Sequence, residues 1–361
     1  MPKPSKDDLQ FLALLVHRGY LEKFQAEALI PALQSKFGLD ELLNTRMDWS
    51  DARIAKLRRT RAGEDPEIPG YEIHGRLGVG GTADVFRARE KKTARNMALK
   101  VLNPICTRNP AGLKAFITEA RLLERLRHPG LVEGYGIAKT GETYFCRLEM
   151  VDGKTLLEYL DEARAFEEAV SLRIVLEVAE VLRYMAGEGL VHRDVKPGNI
   201  MLDTSGRVKL IDLGFCEIQD KKGAVDTTVG TVHYLSPEQA QGGACADLRS
   251  DIYSLGVTLF HLVVGRLPFE DSDDQEVLRK QVMESLKSKE LKGRSLSPHL
   301  QYFIEKMMAK DADVRYQSWD ELIGDIEEQL KGREDLDYAR DARDARSRTG
   351  SRRRSSSSWR R

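Results

Sequence analysis

Apolar residues recur at three- and four-residue intervals from Asp7 to about Arg59. Leu9, Leu12, Leu15 and Val16 form a stripe that predicts an amphipathic helix, with Ser5 and Asp8 as its capping box. A second helix is predicted over Leu21 to Phe37, with Leu21, Phe24 and Ala28 on one face and Pro31 kinking or dividing it. Leu42 and Leu43 mark a short third helix, and Ser50 the N-cap of a fourth carrying Ile54 and Leu57. The rhythm breaks at the Pro, Gly and acidic residues between Ala62 and Gly70. Tyr71 to Ala88 then reads as strand, glycine turn, strand. Met97 to Leu102 alternates like a strand, but with Lys100 in an apolar setting, a costly place for an ammonium unless it meets an anion. Phe116 to Leu123 is helical, with His128-Pro129 ending that helix, and Thr143 to Val151 alternates into a turn. From Thr155 to Leu160 and from Glu167 to Gly187, leucine and valine stripes predict core helices. Val208 to Ile211 is a short buried strand, and Asp251 to Val257 begins a strongly apolar helix. Ser297-Pro298 and Ser318 with Glu321 start the last helices, which extend to about Lys331.

Strands followed by helices, behind an all-helical segment, predict an α+β architecture in a chain of 361 residues, longer than one ordinary domain. The net charge is zero, yet Arg340 to Arg361 is strongly basic, so the remainder is acidic by the same amount. That tail has few apolar residues beyond alanines and Trp359, and is expected to be disordered. Its Arg352-Arg353-Arg354-Ser355-Ser356-Ser357-Ser358 run suits an anionic partner, either an acidic protein or nucleic acid. Autophosphorylation is a second use, and a solvated terminus is the plain alternative. Cys106, Cys146, Cys216 and Cys245 are scattered without metal-ligand spacing, which predicts reduced thiols and a cytoplasmic setting. No apolar run is long enough to cross a bilayer, and Met1 to Asp8 does not look secretory, so no transmembrane anchor is expected.

The densest chemistry lies in Val191-His192-Arg193-Asp194-Val195-Lys196-Pro197-Gly198-Asn199-Ile200, a polar loop between apolar runs that holds acid, base and amide together. A second carboxylate, Asp212, arrives at the end of the Val208–Ile211 strand and is followed by Leu213-Gly214. Read alone, each stretch could be a polar surface loop. Together HRDVKPGN and DLG resemble the catalytic and magnesium-binding loops of protein kinases of the serine/threonine type, most similar to the bacterial branch.

That resemblance implies a bilobal kinase fold, with a β-rich N-lobe and a helical C-lobe, and implies ATP and Mg²⁺ as cofactors. Asp194 would orient the substrate hydroxyl and accept its proton, Lys196 would steady the transferring phosphoryl group, and Asn199 and Asp212 would hold magnesium. Gly78 and Gly80 would cover the phosphates; Leu77, Val85 and Ala98 would line the adenine site. Ala83 stands where a third glycine is common, which stiffens the loop. Lys100 would grip the α- and β-phosphates and pair with Glu119, while backbone groups of Glu149 and Val151 would bond adenine in front of Leu148.

The polar passage from Glu217 to Thr231 resembles an activation segment, with Thr227 and Thr228 as phosphate acceptors that Arg193 could pair. Thr231 would bridge Asp194 and Lys196, Glu238 would pair with Arg315, and Asp251 would bond the catalytic-loop backbone. The expected organisation is a helical docking or regulatory module over 1–62, or else an extension that packs on the kinase body, a linker over 63–70, a kinase domain over 71–331 and a disordered Arg/Ser-rich tail over 332–361. Protein substrates follow, with a docking partner for the N-terminal helices. Two other readings are a pseudokinase-like nucleotide-binding scaffold and a small-molecule phosphotransferase; the latter leaves the Thr231 to Glu238 turn without a purpose.

Overall fold

The structure is a computed structural model and describes residues 6–17, 20–33, 38–47, 49, 54, 66–163, 165–214, 216–218, 232–242, 246–284, 286 and 296–332. Ser5, Ser50, Leu57, Thr227, Thr228, Thr231, Cys245 and the basic tail lie outside these residues. The chain divides into two compact units, one of residues 1–127 with 132–151 and the other of residues 128–131 with 152–361.

In the first unit, helices α1 (Lys6–His17), α2 (Lys23–Leu33) and α3 (Leu39–Met47) bury Phe11, Leu12, Leu15, Leu29, Leu39, Leu43 and Ile54 in one core. The face predicted for α2 is corrected. Its buried positions are Ala26, Leu29, Ala32 and Leu33, while Ala28 is exposed and Phe24 is 69% exposed. Leu21 is buried but precedes the helix, so counting a helical face from it puts the stripe on the wrong side. Pro31 does not divide α2; it lies in the last turn, close to where the helix ends.

The same unit contains an antiparallel sheet of β1 (Tyr71–Val79), β2 (Ala83–Glu90), β3 (Asn96–Leu102), β4 (Gly134–Thr140) and β5 (Thr143–Glu149), in the order β1-β2-β3-β5-β4. Phe86, Ala88, Met97, Leu99 and Phe145 fill its core, joined by Ile68 from the stretch before β1. Helix α4 (Pro104–Arg108) leads into α5 (Pro110–Arg125), which starts where the Asn109 side chain accepts the Ala111 and Gly112 N–H groups. Helix α5 lies against β4 at Gly134, where a Cβ would come within 2.7 Å of the Leu123 Cβ. Only glycine allows that approach.

The second unit has a small sheet of β6 (Gly153–Thr155), β8 (Ile200–Asp203) and β9 (Val208–Leu210), and a two-strand pairing of β7 (Leu190–Val191) with β10 (Glu217–Ile218). The rest is helical: α6 (Leu156–Ala163), α7 (Glu168–Gly187), α8 (Pro237–Ala240), α9 (Leu248–Val264), α10 (Asp274–Met283), α11 (Pro298–Met307) and α12 over 319–332. Helix α9 is buried on almost every side, as its run of Ile252, Leu255, Val257, Leu259 and Phe260 requires. Its Gly256 faces α11 so closely that a Cβ would lie 2.7 Å from the Met307 Cβ. This helix is the fixed post from which Asp251 reaches the loop after β7. Among the described residues, no helix is long and apolar enough to cross a membrane.

Candidate active site

In the first unit, β3 carries Lys100 between Val85 of β2 and Cys146 of β5. Glu119 is on the buried face of α5, between Phe116 and Leu123, and accepts a hydrogen bond from Lys100 Nζ at 2.6 Å. This is the anion that the apolar setting of Lys100 demands. Burial, with the Glu119 carboxylate adding to it, pushes the neighbouring Cys146 thiol up to about 12, so it stays protonated and inert.

The glycine turn between β1 and β2 is held from outside. Asn103 Nδ2 donates to the Gly80 and Gly81 carbonyls, both at 3.1 Å, and the Asn103 N–H donates to the Thr82 carbonyl at 2.8 Å. A Cβ on Gly80 would lie 2.7 Å from the Ala83 carbonyl oxygen, so this turn requires glycine there; Gly78 has open space. Leu77 is half exposed, Val85 half-buried and Ala98 buried. Ala83 is the first residue of β2, buried and paired with Leu102, so its methyl group sits in the sheet and not in the turn. At the end of β5 the Glu149 N–H donates to the Glu133 carbonyl at 2.8 Å, which makes the Glu149 carbonyl the group it could offer to a base. Leu148 is buried and Val151 partly buried.

In the second unit, the loop after β7 is hung on Asp251. One carboxylate oxygen accepts the His192 N–H at 2.8 Å and the other the Arg193 N–H at 2.7 Å. Arg193 takes a left-handed φ of 68°, which costs a residue with a Cβ roughly 1–2 kcal/mol. His192 is fully buried, and that burial lowers its pKa despite the nearby Asp251 and Asp212 carboxylates. Neutral, it accepts the Asp194 N–H on Nδ1 at 3.2 Å.

Asp194 itself is only 4% exposed. Its Oδ2 accepts from Lys196 Nζ at 2.8 Å and from Asn199 Nδ2 at 2.8 Å, whereas its Oδ1 has no hydrogen-bond partner among the described residues. Burial raises its pKa, opposed by Lys196 and Asn199 and assisted by the Asp212 charge. Asn199 spends both amide hydrogens on Asp194, the second bond reaching its carbonyl oxygen at 2.8 Å. The Asn199 amide oxygen remains as an acceptor, and its backbone carbonyl takes the Ile211 N–H at 3.0 Å, next to Asp212. Asp212 Oδ1 caps the following turn through the Gly214 N–H at 2.9 Å.

Against this geometry, residues 71–325 match the protein kinase domain family, well over half of the chain. The chain belongs to the protein kinase family. Among curated proteins, it is 36% identical over 282 residues to a probable serine/threonine-protein kinase of Streptomyces coelicolor, covering 74% of this chain and 41% of that one. It is 34% identical over 264 residues to the serine/threonine-protein kinase PknB of Mycobacterium tuberculosis, covering 71% and 42%. It is 32% identical over 258 residues to PrkC of Bacillus subtilis, covering 71% and 40%. The chain thus spans about two-fifths of the length of these relatives.

Beyond the catalytic loop of the kinase, Glu238 on α8 meets Arg315 through two parallel bonds of 2.8 and 2.9 Å, and Ser250 Oγ donates to the same carboxylate at 2.6 Å. Three polar groups of the site were not singled out from the sequence: Asn103 under the glycine turn, Ser250 beside Glu238, and Gln239. A signal for the last was present, because Ser236-x-x-Gln239 is a capping-box pattern. The first two look like ordinary polar residues until a loop arrives beside them.

Proposed function

We propose that this chain transfers the γ-phosphoryl group of ATP to serine or threonine hydroxyls of proteins. The observation that carries this reading is the two-faced Asp194 carboxylate: Oδ2 is fixed by Lys196 and Asn199, while buried Oδ1 has no partner among the described residues. A substrate hydroxyl that donates to Oδ1 becomes aligned and gives up its proton there as its oxygen bonds to phosphorus. The bond from phosphorus to the β-phosphate oxygen breaks, and ADP leaves. Lys196, already beside the carboxylate, offers its ammonium to the charge spreading over the phosphoryl oxygens. Lys100, held by Glu119, grips the nucleotide phosphates, with the turn at Gly78 and Gly80 above them and Leu77, Val85, Ala98, Glu149 and Val151 around the adenine.

Magnesium would be held by the Asn199 amide oxygen and the Asp212 carboxylate. Both are hard oxygen donors, and among the described residues no cluster of three His, Cys, Asp or Glu side chains competes for an ion. When bound, the ion would neutralise phosphate charge. The serine/threonine class rests on the relatives, which are serine/threonine-protein kinases or probable ones, and on the Ser236-Pro237-Glu238 turn. Residues 71–331 would form the catalytic domain, with 1–62 a docking module, 332–361 a tail for an anionic partner, and a cytoplasmic setting. Phosphate on Thr227 or Thr228 would pair with Arg193, and Thr231 would join Asp194 to Lys196. No observation favours the scaffold alternative.

Incubation with labelled ATP and magnesium is expected to place label on Thr227, Thr228 or the tail serines of the wild-type chain and on none of them in Asp212→Ala. Equal labelling of both proteins would remove Asp212 from the mechanism, and no label in either, with generic substrates present, would overturn the activity. Lys100→Ala is expected to weaken nucleotide binding by about 10- to 100-fold, the worth of hydrogen bonds to a charged group, and to slow turnover with it. Titration with a fluorescent ATP analogue reads the first effect; unchanged affinity would remove Lys100 from the phosphate site.

A further inference from the structure

The peptide group that joins Arg193 to Asp194 is held at both ends. Its N–H donates to His192 Nδ1 at 3.2 Å, and its carbonyl accepts from Gln239 Nε2 at 3.1 Å. Gln239 comes from α8, more than forty residues along the chain, and is 2% exposed. Its other amide atom has a different task. Oε1 accepts from the Ser236 N–H at 3.1 Å and from Ser236 Oγ at 3.0 Å, while the Gln239 N–H donates to Ser236 Oγ at 3.4 Å.

A capping box is closed equally well by glutamate or glutamine, because only an accepting oxygen is needed at that position. A bond to the Arg193 carbonyl requires a donor, which glutamate in its ionised form lacks. The amide therefore does something that helix capping does not explain. It also does it at a strained place: Arg193 is in the left-handed region, with its N–H tied to Asp251 and its carbonyl tied to Gln239. Such a conformation persists only when its surroundings over-determine it.

We propose that Gln239 is a positioning residue for phosphoryl transfer, its amide clamping the Arg193–Asp194 peptide so that the Ser236-Pro237-Glu238 turn and the Asp194 carboxylate move as one piece. The proposal rests on the kinase reading above. Its amide bonds the backbone next to Asp194, so it acts through the orientation of that residue. A misplacement of the base by about 1 Å costs up to about 100-fold in rate.

The experiment takes the full chain and measures kcat, the KM values for ATP and a peptide substrate, and thermal melting for four proteins. These are the wild type, Gln239→Met, Gln239→Glu and Ser236→Ala. Gln239→Met removes the donor at nearly constant volume, and Gln239→Glu keeps the acceptor that Ser236 uses while removing the fixed amide. Ser236→Ala takes away the cap hydroxyl and leaves the amide on Arg193. The two Gln239 variants are expected to lose about 10- to 100-fold in kcat with KM for ATP within about twofold of the wild type. Ser236→Ala is expected to melt earlier and to lose clearly less kcat than either Gln239 variant. Wild-type kcat in Gln239→Glu would overturn the proposal even if Gln239→Met fails to fold. Equal kcat losses in Ser236→Ala and the Gln239 variants would reduce Gln239 to a capping residue. An inert wild type is a different result, and strikes at the kinase reading itself.

Discussion

Asp194→Asn is expected to lower kcat by about 100- to 10,000-fold, the usual worth of a positioned general base, with nucleotide affinity largely unchanged. The substitution is nearly isosteric, and the asparagine carbonyl can still accept from Lys196 and Asn199, which bond Asp194 Oδ2 in the wild type. What disappears is the proton acceptor at Oδ1. Stability should move the other way. Burial raises the Asp194 pKa above its unfolded value, so the folded state binds the extra proton, and the carboxylate costs stability at every pH above its folded pKa. The amide carries no such cost, and Asp194→Asn should melt at or above the wild-type temperature near neutral pH. The same raised pKa places the acid limb of the wild-type kcat profile above the usual carboxylate range, and activity rises as pH climbs through it. Steady-state kinetics across pH, with calorimetry on both proteins, would check all of this. Full turnover in Asp194→Asn would end the mechanism proposed here.

Much of this was legible because the chemistry forced unusual residues into unusual settings. Lys100 in an apolar strand is an energetic anomaly that calls for an anion, and the resemblance to protein kinases points to Glu119 as that anion. For Asp251, at the head of a strongly apolar helix, the resemblance supplies the expectation, and the structure ties it to the His192 and Arg193 N–H groups. Less was legible where several faces of a short helix carry apolar residues, as in α2, where Phe24 is exposed and Leu29 buried. A hydrophobic count cannot choose between such faces until the neighbouring helices are placed. Least legible were Asn103 and Gln239, whose bonds go to carbonyls of distant loops. Their identity as amides says that they can donate, not to whom.

Arg315 shows how completely such a donor can be used. All five of its N–H groups are spent: Nε on the Ala309 carbonyl, one terminal nitrogen on Glu238 and Arg249, the other on Glu238 and Lys310, at 2.8 to 3.1 Å. The guanidinium also stacks 5.0 Å from the Tyr253 ring centroid. Removing the Glu238 charge leaves this buried cation without its counter-ion, so Glu238→Gln should destabilise the kinase by roughly 3–5 kcal/mol. For a domain of this size that is a fall in melting temperature of roughly 6–20 °C. Arg315→Lys should do no better, because an ammonium cannot present the planar fork that two carboxylate oxygens and three carbonyls require.

The acid limb of stability separates the charge from the packing. Burial alone would raise the Glu238 pKa, but the hydrogen bonds and charge of Arg315, with Ser250, outweigh it and hold the carboxyl at about 2. A carboxylate with a depressed folded pKa contributes its full stability above its unfolded value near 4.5 and loses it as pH falls toward 2. Wild-type stability should therefore drop more steeply between about pH 4.5 and 2 than that of Glu238→Gln, which has nothing left to protonate there. If urea titrations give both proteins the same slope through that window, the pair is packed but electrostatically neutral in effect. If the variant is flatter, the charge of the Glu238–Arg315 bridge stabilises the turn that also carries Gln239.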